Sequence, residues 1–396
     1  MKKLNKNRVI YFTAVLLACA IFLLVGNRLA GEWSLGAFAG DYGDIYQRAR
    51  VLRIIDRSVE ESEWTGDILT DIIFSAEITH GPQRGSRLIG TQTLSTMTGT
   101  DEREVREGDR VLVGTIPGTD MHYLGNFLRS NTLLVLAGIF FLLVVLFGGI
   151  KGFNSLVALG LIGASIFMIF IPALFSGRNI YALTMIISVF AVLATLAIVV
   201  GPHKKTLTAI AGCLGGVAVS AGLMLLMTRL LHLTGDYSSD TMMLQNLPIA
   251  IDLQGIVFAG VILGAVGAIM DVAMSMSSSL WELREADPTA SVKRLFSSGM
   301  NIGRDVLGTM LNTLVLAYVG SSLTVILLLV SYSGSVMEVL NMEMIVVEIL
   351  RALVGSFGML LTIPLTAGIC AWLYSRNATT AAPAEPAIAT DTDEDL

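Results

Sequence analysis

From residue 131 onward the chain passes through one apolar run after another, each of about 20 residues and so long enough to cross a hydrocarbon layer. This feature constrains the fold most, because backbone polar groups in lipid must be satisfied internally, by helices or by a closed barrel. The runs lack the in/out alternation of lipid-facing barrel strands, so the reading is helical. Apolar residues make up 54% of the chain and charged residues 15%, far from an ordinary soluble domain. We expect a mainly α polytopic membrane protein with about eight transmembrane helices and a small extracytoplasmic β-rich domain. The spans fall near residues 9–26, 131–149, 153–174, 180–200, 206–230, 253–275, 306–330 and 348–374.

Lysine and arginine set the orientation. With eight spans and a cytoplasmic N-terminus, every Lys lies on one side: Lys2, Lys3, Lys6, Lys151, Lys204, Lys205 and Lys293. Arg8, Arg284, Arg294, Arg304 and Arg376 join them, while the short loops opposite carry only Arg178, with Arg129, Arg229 and Arg351 at span edges. Both termini are therefore expected in the cytoplasm of a bacterial cell, in line with the positive-inside rule. Residues 1–26 read as a cytoplasmic start and anchor helix, and 377–396 as a disordered acidic tail. The net charge of −6 comes partly from that tail and says little about partners. Leu16-Leu17-Ala18-Cys19 loosely resembles a lipoprotein signal, but the apolar run continues to Val25 and favours an uncleaved anchor over cleavage. Cys19, Cys213 and Cys370 all fall in spans, which gives neither a disulfide framework nor metal-ligand spacing.

Residues 27–130 change character. Runs at 51–55, 71–79, 87–94 and 110–116 read as strands, with turns at Gly81-Pro82, Gly85-Ser86, Gly99-Thr100 and Glu107-Gly108-Asp109. Four or five short strands suggest a small half-open barrel or a sandwich. His80 and His122 have no partner at catalytic or metal-binding spacing, and Arg48, Arg50, Arg53 and Arg57 read as a solvated face. In the spans, Gly212/Gly216 and Gly260/Gly264 form two GxxxG pairs, suited to close helix packing. Pro172 and Pro364 are expected to kink their helices. Asp287-Pro288 reads as the start of a short surface helix that Gly299 stops.

Two polar ladders stand out. In the run from Gly255 to Ser279, Asp271 is the one charged residue, and Ser275, Ser278 and Ser279 follow on its helical face. A charged Asp at a span centre costs roughly 2.5–3.5 kcal/mol on insertion scales, so such a stripe should face protein or a water-filled cavity. The seventh span opens with Asn301, Arg304 and Asp305, followed by Thr309, Asn312 and Thr313. Spans six and seven are consecutive, so the two ladders can meet. Asp271, Ser275, Ser278, Arg304, Asp305, Thr309 and Asn312 are then expected to hold a small polar solute, a monovalent cation or a proton relay. Interhelical hydrogen bonding and helix-end pairing are the structural alternatives.

The residues that carry these ladders also carry a resemblance. Met270-Asp271-Val272-Ala273-Met274-Ser275 through Ser279, then Glu282-Leu283, then Ser298 through Tyr318 closely resemble the signature of YibE/F-like bacterial membrane proteins. The resemblance extends over residues 9–376 and implies a multi-pass permease without an established substrate. The expected partners are the lipid bilayer, a small solute or ion, and a second copy or a paired family member, but no nucleic acid. No cofactor is expected. The absence of HExxH, GxSxG and a Cys/His pair argues against an enzyme, and the absence of GxxxxGK[ST] against ATP coupling within this chain. A scaffold or signalling component that binds a partner through the β-rich domain is the competing expectation.

Overall fold

A computed structural model describes residues 6–31, 45–61, 66–96, 103–116, 118–245, 247, 249–332 and 334–375. The acidic tail, Lys2, Lys3 and the turn at Gly99-Thr100 lie outside them. The elements in chain order are α1 (Lys6–Ala30), β1 (Ile45–Glu61), β2 (Ile68–Ile78), β3 (Arg87–Ser95), β4 (Arg110–Thr115), β5 (His122–Phe127) and α2 (Ser130–Ser165). A π-helical turn (Ile166–Phe170) leads into α3 (Ile171–Phe175), α4 (Ile180–Val199), α5 (Lys204–Leu230), α6 (Ser239–Gln245) and α7 (Leu253–Ala286). The last elements are α8 (Val292–Ser321), α9 (Leu323–Tyr332), α10 (Val336–Asn341) and α11 (Glu343–Ser375). The chain divides into two compact units, Ser34–Gly149 and Met1–Trp33 with Ile150–Leu396.

The smaller unit is a closed barrel with strand order β1-β2-β3-β5-β4. β3 and β5 run parallel and the other neighbours antiparallel, the connectivity of a five-stranded OB-type barrel. β1 can serve two partners because it is long: its first residues pair with β4 and the rest with β2, with register shifts at 51/53 and 54/56 where it bends. Alternation sends Ile72, Phe74, Ala76 and Ile78 inward from β2, Val111 and Val113 from β4, and Ala49 and Val51 from β1. The buried Gln92 amide is satisfied at both ends, accepting from Val105 N at 2.8 Å and donating to Arg103 O at 3.1 Å. β5 escapes the strand pattern because HYLGNF is short and holds His, Gly and Asn. The bond between His122 Nδ1 and Thr115 Oγ1 (2.8 Å) sits on the β4–β5 pair.

The larger unit is helical, and its core lies where α5, α7 and α11 pack. Gly212 meets Thr366, and Gly216 meets Thr362, Ile269 and the Gly358 carbonyl, so the first GxxxG pair is a helix–helix seam. A buried hydroxyl cluster ties the same helices at one end. Thr208 Oγ1, Ser277 Oγ and Tyr374 Oη bond to one another, and Ser277 also donates to Lys205 O at 2.6 Å. Pro172 sits in the first turn of α3, directly after the π-helical turn that absorbs the local misfit. α11 runs through Pro364 without a break in its assigned span.

Among the described residues, six helices are long and apolar enough to cross a membrane, or seven when one bent pair counts as a span. This differs from the expected eight in two places. Ser130–Phe175 is one stretch of 46 residues, interrupted at Gly149 by φ 54° and ψ −138°, a backbone state open to glycine. The expected span at 306–330 falls on two helices, α8 and α9, bent by 58° at Ser322. The loop between α7 and α8 also differs. Asp287 does not cap a surface helix; its carboxylate accepts from Thr289 N (3.1 Å) and Oγ1 (2.7 Å) and pairs with Arg294 (2.9 Å). Ser291 is the cap of α8, accepting from Arg294 N at 3.2 Å. Gly299 does not stop the helix. It is buried against Leu280 and Ala367, where a small residue is needed for contact.

Candidate functional site

α7 buries one face along its length, from Val257 and Phe258 through Ile262, Ala265, Ile269, Val272, Ala273 and Met276 to Leu280. The opposite face repeats at intervals of four, three and four: Gly260, Gly264, Gly267 and Asp271 are all exposed, and Ser275 and Ser278 are half-buried. From Gly260 to Ser278 this strip runs about 27 Å at 1.5 Å per residue, close to the hydrocarbon thickness. Glycines make it a furrow rather than a ridge. The second GxxxG pair therefore stands at the surface, with only the tips of two side chains near it. A Cβ on Gly264 would lie 3.2 Å from Tyr318 Oη, and one on Gly260 would lie 3.9 Å from Arg351 Nη2.

Those two side chains belong to a polar cluster at the bend between α8 and α9. Ser322 Oγ donates to Glu348 Oε2 at 2.6 Å, and Arg351 Nη1 donates to Glu348 Oε1 at 2.7 Å. Glu348 and Arg351 are half-buried, one turn apart on α11. The Ser322 backbone N–H still bonds Tyr318 O, so the chain turns there without leaving that donor unpaired. Hydropathy alone puts Arg351 at a span edge and does not single out Glu348. The legible signal is an i,i+3 acid–base pair in an otherwise apolar run, but α11 begins at Glu343 and carries the pair further in than expected. Ser277 is likewise missed by the spacing of the ladder: among the clustered serines it alone turns to the core.

α8 packs through Leu295, Gly299 and Gly303, the last against Ile363. Its other face is polar, and Asn301, Arg304, Asp305, Gly308, Thr309, Asn312 and Thr313 are all exposed. The hydrogen bonds of these side chains stay on the helix itself. Arg304 Nη1 donates to Asn301 Oδ1 (3.3 Å), Thr309 to Val306 O (3.0 Å), Asn312 to Gly308 O (3.3 Å) and Thr313 to Thr309 O (3.1 Å). Among the described residues no hydrogen bond or ion pair engages Asp271 or Asp305, and none joins the α7 strip to the α8 strip. The structure thus sets each ladder on one helical face, as its spacing requires, and leaves both faces open rather than bonded together. The described residues also contain no group of three or more His, Cys, Asp or Glu able to hold a metal ion.

Long apolar helices, a glycine furrow with one unbonded acid and a bent helix pair whose junction is hydrogen-bonded to Glu348 mark a membrane-embedded, multi-pass protein. The family model described as YibE/F-like protein matches residues 136–376, and the chain belongs to that family. Among curated proteins and solved structures, nothing matches it.

Proposed function

We propose that this protein is a permease of the bacterial cell membrane, passing a small polar solute or ion along the furrow of α7. The observation that carries the reading is the bent span at Ser322. Its polar cluster of Ser322, Glu348 and Arg351, with Tyr318 beside it, stands at one end of a glycine strip that leads to Asp271, Ser275 and Ser278. Discontinuous helices and intramembrane acids are the features by which transporters build sites away from lipid. Arg304, Asp305, Thr309 and Asn312 stand on the exposed face of the neighbouring α8 and make no bond to this strip among the described residues. In this reading the chain crosses the membrane eight times, because 46 residues exceed one crossing and Gly149 offers the break. Both termini are then cytoplasmic by the lysine distribution, with the barrel outside.

Solvent access and ion coupling can both be tested before the solute is identified. Single cysteines at Gly267, Ser275 and Ser278, in full-length protein lacking Cys19, Cys213 and Cys370, should react with a membrane-impermeant maleimide. A cysteine at the exposed Leu193 of α4 should not. In pyranine-loaded vesicles under imposed Na+ or K+ gradients, Asp271→Asn should insert normally yet lower cation-coupled flux by about tenfold or more. Unreactive furrow cysteines would show lipid there and defeat the pathway. A normally inserted Asn variant with full flux would remove Asp271 from the coupling.

A further inference from the structure

The α8 strip poses a problem that the furrow does not. Arg304 and Asp305 are adjacent, exposed and unpaired with each other, and Asp305 has no bonding partner among the described residues. Asn301, Thr309, Asn312 and Thr313 extend the same face, with Gly308 in its middle. From Asn301 to Thr313 the strip measures about 18 Å along the helix. Lipid tails supply no hydrogen-bonding group to such a face. The apolar run Leu133–Ile150 cannot supply one either, since it carries no charged or amide side chain.

We propose that this face is a homodimer seam, in which a second copy of the chain lays the same α8 strip against it around a two-fold axis along the membrane normal. Such an axis keeps identical residues at identical depth, so each surface must complement itself. The α8 strip does. Arg304 and Asp305 differ in height by about 1.5 Å, so each Arg304 faces the partner's Asp305 and each Asp305 the partner's Arg304. The strip is electrically neutral as a whole, and pairing therefore builds no net charge into the seam. Asn312 presents both a donor and an acceptor and can bond the partner's Asn312. Gly308 leaves room for the backbones to approach, as small residues do in membrane helix pairs. The seam uses the outward face of α8, while Leu295, Gly299 and Gly303 hold the inward face against its own chain. It does not depend on the permease reading.

Cysteine cross-linking in vesicles tests this directly. In the full-length chain with Cys19, Cys213 and Cys370 replaced by Ala, cysteines at Thr309 and Asn312 should oxidise to a disulfide-linked dimer. Cysteines at Met310 and Leu314, which pack against their own core, should not. At high lipid dilution, Arg304→Asp or Asp305→Arg should each weaken cross-linking through Asn312→Cys by about tenfold, and the double exchange should restore it. The wild-type chain, free of any substitution, should measure as a dimer by light scattering in detergent. A monomeric wild type, equal linking at all four positions, a link to residues 130–149 of the same chain or to a different protein, or failure of the double exchange would each overturn the proposal.

Discussion

At the residue scale, Gly216 illustrates how little room the helix seam leaves. A Cβ there would overlap Thr362 Oγ1, reach 2.9 Å from Ile269 Cγ2 and come within 3.1 Å of the Gly358 carbonyl. Three helices converge on one missing side chain, so relief would require moving backbone as well as a rotamer. We expect Gly216→Val to destabilise the helical unit by roughly 1–3 kcal/mol, the usual range for overpacking. The measurement is the thermal midpoint of the detergent-solubilised protein, with Gly267→Val as the comparison. Gly267 has nothing within reach of an added Cβ, and its substitution should leave the midpoint unchanged. The GxxxG spacing of 212/216 and of 260/264 is identical in the sequence. Only the closeness of the neighbouring helices makes one pair a seam and the other an open strip.

At the element scale, the turn between α7 and α8 depends on one carboxylate. The Thr289 hydroxyl and then the Thr289 amide hold the Asp287 carboxyl below its ordinary value, with Arg294 and Arg284 adding to the effect. A carboxyl lowered in this way stabilises the turn fully above its unfolded-state value, and the contribution disappears as pH falls through the folded-state value. Amide-exchange protection at Thr289 and Arg294 should therefore fall on acidification below the ordinary carboxylate range. Asp287→Ala should show the same loss at neutral pH. Protection that survives both would assign the turn to Ser291 alone. Asp-Pro is a reasonable sequence sign of a helix start, but an Asp followed two residues later by a Thr can close a turn on itself. The Ser291 cap then begins a helix that runs on for 30 residues. The bend at Ser322 is hidden for a similar reason. Hydropathy averages across α8 and α9 look like one span, whereas the residue at the bend, Ser322, is bonded to Glu348, 26 residues further along.

At the scale of the whole molecule, the barrel and the helical unit have separate cores. Phe74, fully buried among Ile72, Leu88, Val111 and Val113, is the largest side chain in the barrel core, and Gly90 lies against its ring. Phe74→Ala should cost the barrel about 3–5 kcal/mol. Exchange protection should fall in β1 to β5 and persist in α5, α7 and α11. Simultaneous loss in both would contradict two independent cores. Apolar run length and strand alternation by themselves determined the membrane class, the positions of most helices and a β-rich insert, because burial in lipid or in a small core acts on each segment through its own composition. The two polar ladders were equally legible, since helical spacing alone decides which residues share a face. Tertiary structure decided the rest: which ladder residues are bonded, which glycines are seams, where the α8–α9 pair bends, and that Tyr318 and Arg351 stand beside the α7 strip. Those outcomes depend on contacts between residues far apart in the chain, and a side chain's spacing along its own helix carries no information about what the neighbouring helix places opposite it.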